Sequence, residues 1–516
     1  MSTSSRTRGA RLAGALTTAV AAGLGLGLAE LAAALVQPRT SPVSLVGAVT
    51  IDLTPPPVKD LVIGLLGTAD KPFLIGCVLA GTLAITAVIG SGLARTARWA
   101  SIWIAAVGAI AILAALLRVA VAPSSLVAGL VLAAGGIGAL HLLRGLLLRA
   151  QEEQADPAAI GGASRRRLLA TGAGLGALGA LAPLVGRALR PAPQVAPEVL
   201  AVPEPEVQAP ELPEGLDVEG ISPLRTPADE LYRIDTALVV PGYDPESWRL
   251  RIEGMVENPY EITLPELMAM PMVEHDATML CVSNPVGGDL IGSVLFQGVR
   301  VRDLLARAVP LRGADQVLST SVDGFTAGTP LEALTDDREA LIAVAINGEP
   351  LSPEHGAPAR LFTPGLYGYV GATKWLTTLS VGTYAEQVAY WTTRGWSAKG
   401  PVKTSARIDT PRGNGRAELG ADGRVAVAGV AWAVHRGVGA VQVQVDDGPW
   451  IDAELSEDVN ADYWRQWVVR LELAPGEHVL AARAADASGE LQSAEVAPPA
   501  PNGSQGYHRI SVDVRG

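Results

Sequence analysis

The chain has 516 residues, 40 Lys and Arg against 52 Asp and Glu for a net charge of −12, and two cysteines. That length exceeds a single hydrophobic core and asks for several domains. The acidic balance, with no basic stripe interleaved with aromatics, speaks against nucleic-acid binding, and a disulfide framework is excluded because one cysteine, Cys77, lies in an apolar run far from the other, Cys281.

Charges are sparse up to about Ala150 and dense after Pro197, so the first part of the chain reads as membrane-embedded. Arg11 to Val36 is long enough to cross a bilayer as one helix. After Thr40 the pattern breaks, with Pro55-Pro56-Pro57 between Ile51 and Leu61, and predicts a loop with short helical pieces. Phe73 to Ala94, Trp99 to Val121, Leu126 to Leu148 and Leu168 to Leu189 are four further expected spans. The basic residues at the amino terminus, Arg95 with Arg98, and Arg144 to Arg167 orient the set with those segments cytoplasmic. Residues 1–190 are therefore expected to form a multi-pass domain of about five transmembrane helices in the cell membrane, leaving everything after Leu189 on the extracytoplasmic side. Arg165-Arg166-Arg167-Leu168-Leu169 also resembles a twin-arginine export signal, the alternative being that these arginines only fix orientation.

Residues 191–222, rich in Pro, Glu, Ala and Val, read as an extended spacer. From about 223 to 400 an α+β pattern follows: a strand at Trp248 to Ile252, a helix starting at Leu264-Pro265-Glu266, a helix over Val299 to Leu311, and strands at Leu361-Phe362 and Trp375 to Val381. Residues 401–516 change to strand, turn, strand. Val425 to Trp432, Ala440 to Val445, Trp467 to Leu473 and His478 to Ala484 are separated by turns at Asp422-Gly423, Asp447-Gly448 and Pro475-Gly476. Such spacing predicts an immunoglobulin-like β-sandwich.

Chemistry concentrates in the middle domain. Cys281 is the one thiol outside the apolar runs, and it enters a Val-Ser-Asn-Pro-Val-Gly-Gly-Asp loop after a β-prone approach. A thiolate there suits a soft or redox-active metal. Glu354-His355-Gly356-Ala357-Pro358-Ala359-Arg360 places an imidazole and a guanidinium five residues apart. Gly365-Leu366-Tyr367-Gly368-Tyr369-Val370-Gly371-Ala372-Thr373-Lys374 combines three glycines with a Thr and a Lys. Arginine, lysine, threonine and free amides together suit an anion, most naturally a phosphate. A fourth cluster, Leu231-Tyr232-Arg233-Ile234-Asp235, lies where the domain begins.

In this order the four elements resemble the sulfite oxidase family of molybdenum enzymes, from about Pro223 to the carboxyl end. The resemblance implies a molybdenum-molybdopterin cofactor, a pyranopterin dithiolene, with Cys281 as the metal ligand. It implies cofactor contacts from His355, Arg360, Thr373 and Lys374, to which Gly371 and Asn284 are added. Arg233 is a candidate for the cofactor or substrate pocket, and the C-terminal sandwich, closing on Gly506-Tyr507-His508-Arg509-Ile510, resembles the family's dimerisation domain. Two departures stand out. Sulfite oxidases follow the cysteine with Ala-Gly-Asn-Arg-Arg, and their Arg-Asp-Tyr-Lys segment corresponds here to Arg394-Gly395-Trp396-Ser397. The anion-holding arginine and the active-site tyrosine are thus replaced, the latter by Trp396, which donates one hydrogen bond but cannot do acid-base work. The expected activity is oxygen-atom transfer on a small S-oxide, N-oxide or sulfite-like substrate.

No Cys-x-x-Cys-His motif is present and the spans contain a single histidine, His141, so no haem is expected. Electrons are expected to pass to or from a separate carrier, a cytochrome or a quinone-linked protein. The rival from another class is a metal-free binding or scaffold protein that retains the fold. A transporter is disfavoured, since the charges inside the apolar runs, Glu30 and Arg118 among them, all lie nearer an end than the middle.

Overall fold

The computed structural model describes residues 3–36, 41–54, 58, 62, 70–93, 96–118, 124–155, 163–189, 201–237, 240–413, 415–420 and 422–515. The expected features at Pro55-Pro56-Pro57, Ala94, Arg95, Val121 to Pro123 and residues 191–200 lie outside them. The chain divides into two units, one within residues 1–192 and 237–240, the other within 193–236 and 241–516.

The first unit is helical: α1 (Thr3–Val36), α2 (Pro42–Leu53), α3 (Asp70–Gly90), α4 (Arg98–Arg118), α5 (Ser124–Ala155) and α6 (Ala163–Leu189). Among the described residues, five of these contain stretches long and apolar enough to cross a membrane: Gly9–Val36, Phe73–Gly90, Arg98–Leu116, Leu126–Glu153 and Ala163–Gly186. Leu and Ala favour the helix throughout, and the shorter α2 is the helical piece of the broken stretch. Helix α1 packs against both α5 and α6. Close approach is possible because glycines face each other there: a Cβ on Gly25 would lie 3.1 Å from Gly136 Cα, and one on Gly27 would collide with Gly179 O. Glu30 accepts hydrogen bonds from Ser41 Oγ at 2.9 Å and Val43 N at 3.0 Å, so its carboxylate caps α2. His141 Nε2 lies 3.3 Å from Ser101 Oγ, joining α5 to α4.

The second unit begins with residues 201–222, which stay extended and lie along the globular part. Glu206 N donates to Met272 O at 2.8 Å, Gln297 Nε2 to Pro203 O at 2.6 Å, and Leu216 N to Gln466 Oε1 at 2.8 Å. The strands that follow are β1 (Arg249–Gly254), β2 (Tyr260–Thr263), β3 (Val273–Leu280), β4 (Ile291–Arg300), β5 (Gln316–Ser321), β6 (Thr326–Pro330), β7 (Leu341–Ile346), β8 (Glu349–Pro350), β9 (Arg360–Phe362) and β10 (Leu376–Gly382). They form a sheet in the order β2-β1-β10-β5-β6, with β1 and β10 parallel, and a second in the order β3-β4-β7-β8 with β9 paired to β7. Helices here are short: α7 (Leu264–Met268), α8 (Val301–Ala308) and α9 (Gly368–Gly371). Thr263 and Glu266 make a capping box that starts α7. The helix expected over Val299 to Leu311 is trimmed at both ends, because Val299 and Arg300 remain in β4 and Val309 takes a left-handed φ of 57° before Pro310.

The remaining strands are β11 (Ser405–Thr410), β12 (Gly415–Glu418), β13 (Val425–Trp432), β14 (Val438–Val445), β15 (Trp450–Asp452), β16 (Glu454–Leu455), β17 (Arg465–Leu471), β18 (Gly476–Asp486) and β19 (His508–Arg515). Sheets β11-β13-β17-β16 and β12-β19-β18-β14-β15 face each other across an apolar core that includes Val427, Val441, Trp467 and Leu480. Val425 and Val427 of β13 and Val441 and Val443 of β14 supply part of that core, the latter two alternating with Gln442 and Gln444.

In the middle of the unit, Phe296 of β4 stacks on Phe362 of β9 with centroids 4.0 Å apart, and Phe296 is fully buried. This contact seats the strand that starts at Arg360. Phe296→Ala should therefore cost about 3–5 kcal/mol, read as a lowered midpoint of thermal unfolding of the full chain.

Candidate functional site

Strand β3 pairs in register with β4 from Val273 opposite Gly298 to Leu280 opposite Ile291, which carries Cys281 to the strand end. The loop it enters is closed by its own backbone and one side chain: Cys281 N donates to Leu290 O at 3.0 Å, Asn284 N to Cys281 O at 3.1 Å, and Leu290 N to Asn284 Oδ1 at 2.9 Å. Cys281 is 9% exposed, with Sγ 2.8 Å from Ser283 Oγ. Burial pushes its thiol above the ordinary value, against the Ser283 hydrogen bonds.

Three cationic or titratable side chains come from the segment 355–374. Ser352 caps the short 3₁₀ turn Pro353–His355, and Gly356 turns the chain with a φ of 109°. Gly356 also abuts Lys374, since a Cβ there would lie 3.0 Å from Lys374 Cα and Cβ. Arg360 then enters β9, 2% exposed, with Nη1 donating to His355 O at 3.2 Å and Nη2 facing Met279 Sδ at 3.1 Å, while Nε is buried without a partner. Among the described residues no carboxylate forms an ion pair with it. Burial pulls its pKa down to about 10. His355 Nδ1 is likewise buried without a partner, and burial, with Arg360 and Lys374 nearby, lowers the imidazole to about 4. Lys374 Nζ donates to Glu354 O at 2.8 Å and to Asp235 Oδ2 at 3.2 Å. Burial brings it to about 8, with Asp235 opposing and Arg360 and Arg233 assisting.

The structure thus gathers His355, Arg360 and Lys374, and brings Arg233 to the same place: Arg233 Nε donates to Asp235 Oδ2 at 3.1 Å, the carboxylate that also pairs with Lys374. Tyr232 connects this group to the cysteine. Its phenol is raised well above the usual value by burial first and by Cys281 next, with Arg360 opposing. Other expected contacts serve the frame. Thr373 is fully buried with Oγ1 2.7 Å from Ser319 Oγ, and Asn284 spends Oδ1 on its own loop. Gly371 ends α9 where a Cβ would lie 2.9 Å from Leu366 Cβ. Trp396 packs beside Tyr369 and Trp391, at centroid distances of 5.9 and 6.1 Å, on the apolar cluster that holds Leu280 and Val282.

Tyr232, Asp235, Met279 and Tyr367 were not singled out by sequence reasoning. The signal for Tyr232 and Asp235 was their place in the polar run around Arg233. Tyr367 lies inside the glycine-rich run, where its neighbours rather than its phenol stood out; it is buried and raised to about 12, burial leading and Cys281 contributing. Met279 carries no polar mark.

The arrangement is a largely buried, cation-rich cluster with unspent polar atoms at Arg360 Nε and His355 Nδ1, suited to an anionic group with many acceptors. It has a pH signature in cofactor-free protein. His355 binds a proton at pH 6.5 when unfolded but only near 4 when folded, so the unfolded chain takes up more protons in that window and stability falls as pH drops through it. The loss should reach ~3 kcal/mol by pH 4, and His355→Gln should remove that component from the pH dependence of unfolding free energy.

Residues 237–391 match the family described as the oxidoreductase molybdopterin binding domain. An uncharacterized oxidoreductase, YuiH, of Bacillus subtilis is 33% identical over 162 residues, covering 31% of this chain and 78% of that protein. The mitochondrial sulfite oxidase of Homo sapiens is 27% identical over 312 residues, 51% of this chain and 56% of that protein. The chain spans about half the length of the mitochondrial sulfite oxidases of Drosophila melanogaster and Homo sapiens, 51% and 56%. The sulfane dehydrogenase SoxCD of Paracoccus pantotrophus, a solved structure, covers 58% of this chain and 87% of its own at 20% identity, with a TM-score of 0.48. The chain belongs to the sulfite oxidase family of molybdopterin-dependent oxidoreductases.

Proposed function

We propose that this chain is a membrane-anchored oxidoreductase that uses a molybdenum-molybdopterin cofactor for oxygen-atom transfer on a small S-oxide, N-oxide or sulfite-like substrate outside the cytoplasm. The observation that carries the reading is Arg360. A guanidinium 2% exposed, with no ion-pair carboxylate among the described residues and Nε unspent, awaits an anion. His355 Nδ1 is a second unspent donor or acceptor and Lys374 a second cation on the same side. These residues fit the phosphate-bearing part of the cofactor, and Cys281 fits as the metal's thiolate ligand, with Arg233 at the pocket rim. When bound, the group supplies two-electron oxygen-atom-transfer chemistry.

The protein's part is binding and orientation. His355 stays neutral at physiological pH, so it adds a hydrogen bond without a third charge. Positions 282–288 hold no cation, which disfavours a doubly charged substrate at this face and favours a neutral or weakly charged oxide. Trp396 offers a flat apolar wall. Electrons pass to a separate carrier, a cytochrome or a quinone-linked protein, and the sandwich supplies the surface for a homodimer. The five apolar helices, with basic residues in the first turns of α1 (Arg6, Arg8), between α3 and α4 (Arg95), in the last turns of α5 (Arg144, Arg149) and in the first turns of α6 (Arg165, Arg166, Arg167), support a multi-pass anchor in the cell membrane with the second unit outside.

Elemental analysis of the full chain, purified from a cofactor-competent host, should give about one molybdenum per chain, and Cys281→Ser should reduce or abolish it together with turnover. Absence of the metal from wild type would sink the enzyme reading. Hydrogen bonds from a charged donor contribute about 1.5–3 kcal/mol, so Arg360→Gln should weaken cofactor retention roughly 10- to 100-fold, measured as molybdenum remaining after dialysis.

A further inference from the structure

The loop that carries Cys281 is held by its own bonds on one side and by the C-terminal sandwich on the other. Arg407 of β11 donates from Nη1 to Gly288 O at 2.9 Å, and Ser504, just before β19, donates from Oγ to Asn284 O at 2.7 Å. Between these two points Gly287, with a φ of 77°, lies against the imidazole of His508, and a Cβ there would overlap that ring. Each gripping group is itself fixed. Arg407 Nε donates to Asp409 Oδ1 at 2.6 Å and Nη2 to Ser222 Oγ at 2.8 Å, while Ser222 N donates to Asp409 Oδ2 at 3.0 Å. His508 Nδ1 accepts from Ile408 N at 3.0 Å. The same segment meets the other wall of the pocket: Gly503, with a φ of 96°, leaves room for the Tyr367 hydroxyl that any Cβ would overlap, and Pro501 O accepts from Ser397 N at 3.0 Å.

We propose that the sandwich positions the Cys281 sulfur, with Ser504 and Arg407 as positioning residues that hold the loop 281–290 in the one geometry from which the thiolate faces the cofactor. The proposal rests on the reading of Cys281 as the metal ligand for its consequence, but the grip on the loop is a property of this chain alone. A loop with three external holds across Asn284, Gly287 and Gly288 cannot swing its cysteine without breaking them. Removing one hold lets the loop open locally, with the rest of the unit intact.

The test uses the full-length chain with Cys77→Ser, which leaves Cys281 as the single thiol. Protein made in a host unable to synthesise the cofactor is labelled with a maleimide, and its melting temperature is measured in parallel. Loss of one net hydrogen bond should speed labelling of Ser504→Ala about fivefold with the melting temperature unchanged, and Ser504→Thr should restore the parent rate. Gly287→Ala should label fastest, since it displaces the loop from His508. Labelling at the parent rate in both Ser504→Ala and Gly287→Ala overturns the proposal. So does faster labelling that merely tracks a lowered melting temperature, because a bystander residue would do that. Molybdenum content of the parent from a cofactor-competent host reports separately. Metal present with unchanged labelling removes the positioning role and leaves the enzyme reading standing. Metal absent with faster labelling removes the enzyme reading and leaves the grip.

Discussion

A buried guanidinium, Arg360, that meets no carboxylate among the described residues organises the second unit. Taking Arg360 out of water costs several kcal/mol, and the protein gives it a carbonyl at His355 and a thioether at Met279, both neutral and the latter weak. The side chain cannot retreat. Leu361 exchanges backbone hydrogen bonds with Thr373, β9 pairs with β7, and Phe362 stacks on Phe296. The frame thus spends apolar packing and sheet pairing to hold an unsatisfied cation in place, an arrangement stable as a whole only because the rest of the unit is well packed. Proteins keep such local costs where a ligand later offsets them.

The surrounding electrostatics follow from that choice. Lys374 and Arg233 share one carboxylate, Asp235, so the cluster of three cations keeps a local positive excess in a chain whose net charge is −12. Burial first, and then the facing charges of Arg360 and Lys374, keep the His355 imidazole neutral well below physiological pH. Excess positive charge in a recess draws an anion inward. It also leaves little for a substrate once a multiply charged cofactor is seated, which agrees with a Cys281 loop that carries no cation from Val282 to Gly288.

Local chemistry was legible in the sequence, whereas partnership across the chain was not. The sandwich strands announced themselves as short runs spaced by Asp-Gly and Pro-Gly turns, and Val425–Trp432 was read with its observed bounds. Strand β7, buried at every position, shows no period of two, and β3 is buried over its last five residues, so neither could be delimited by alternation. His355, Arg360 and Lys374 were visible as a motif because they lie within twenty residues of one another. Asp235 meets Lys374 across 139 residues and Met279 meets Arg360 across 81. No spacing rule links such positions, and only the fold joins them. Thr373 was legible as a residue, but its hydrogen bond to Ser319, 54 positions earlier, was not, since only the fold brings the two hydroxyls together.

The same distinction explains why a domain with no side chain among the cations can still matter to the chemistry. The cations need only be near an anion, and their long side chains absorb small errors in backbone position. A thiolate bound to a metal has no such slack, because its reach is one Cβ–S bond and metal–sulfur geometry tolerates errors of a few tenths of an ångström. The Cys281 loop closes on itself through Cys281, Asn284, Gly288 and Leu290, but these bonds only tie the loop to itself. Its place in the unit is fixed by holds from outside it. They come from 119 and 220 residues' remove, in Arg407 and Ser504, on the part of the chain whose two sheets are closed over Trp467. Charge comes from a flexible-sided motif and position from a rigid sandwich, and the two meet at Tyr367, with Cys281 on one side and Gly503 on the other.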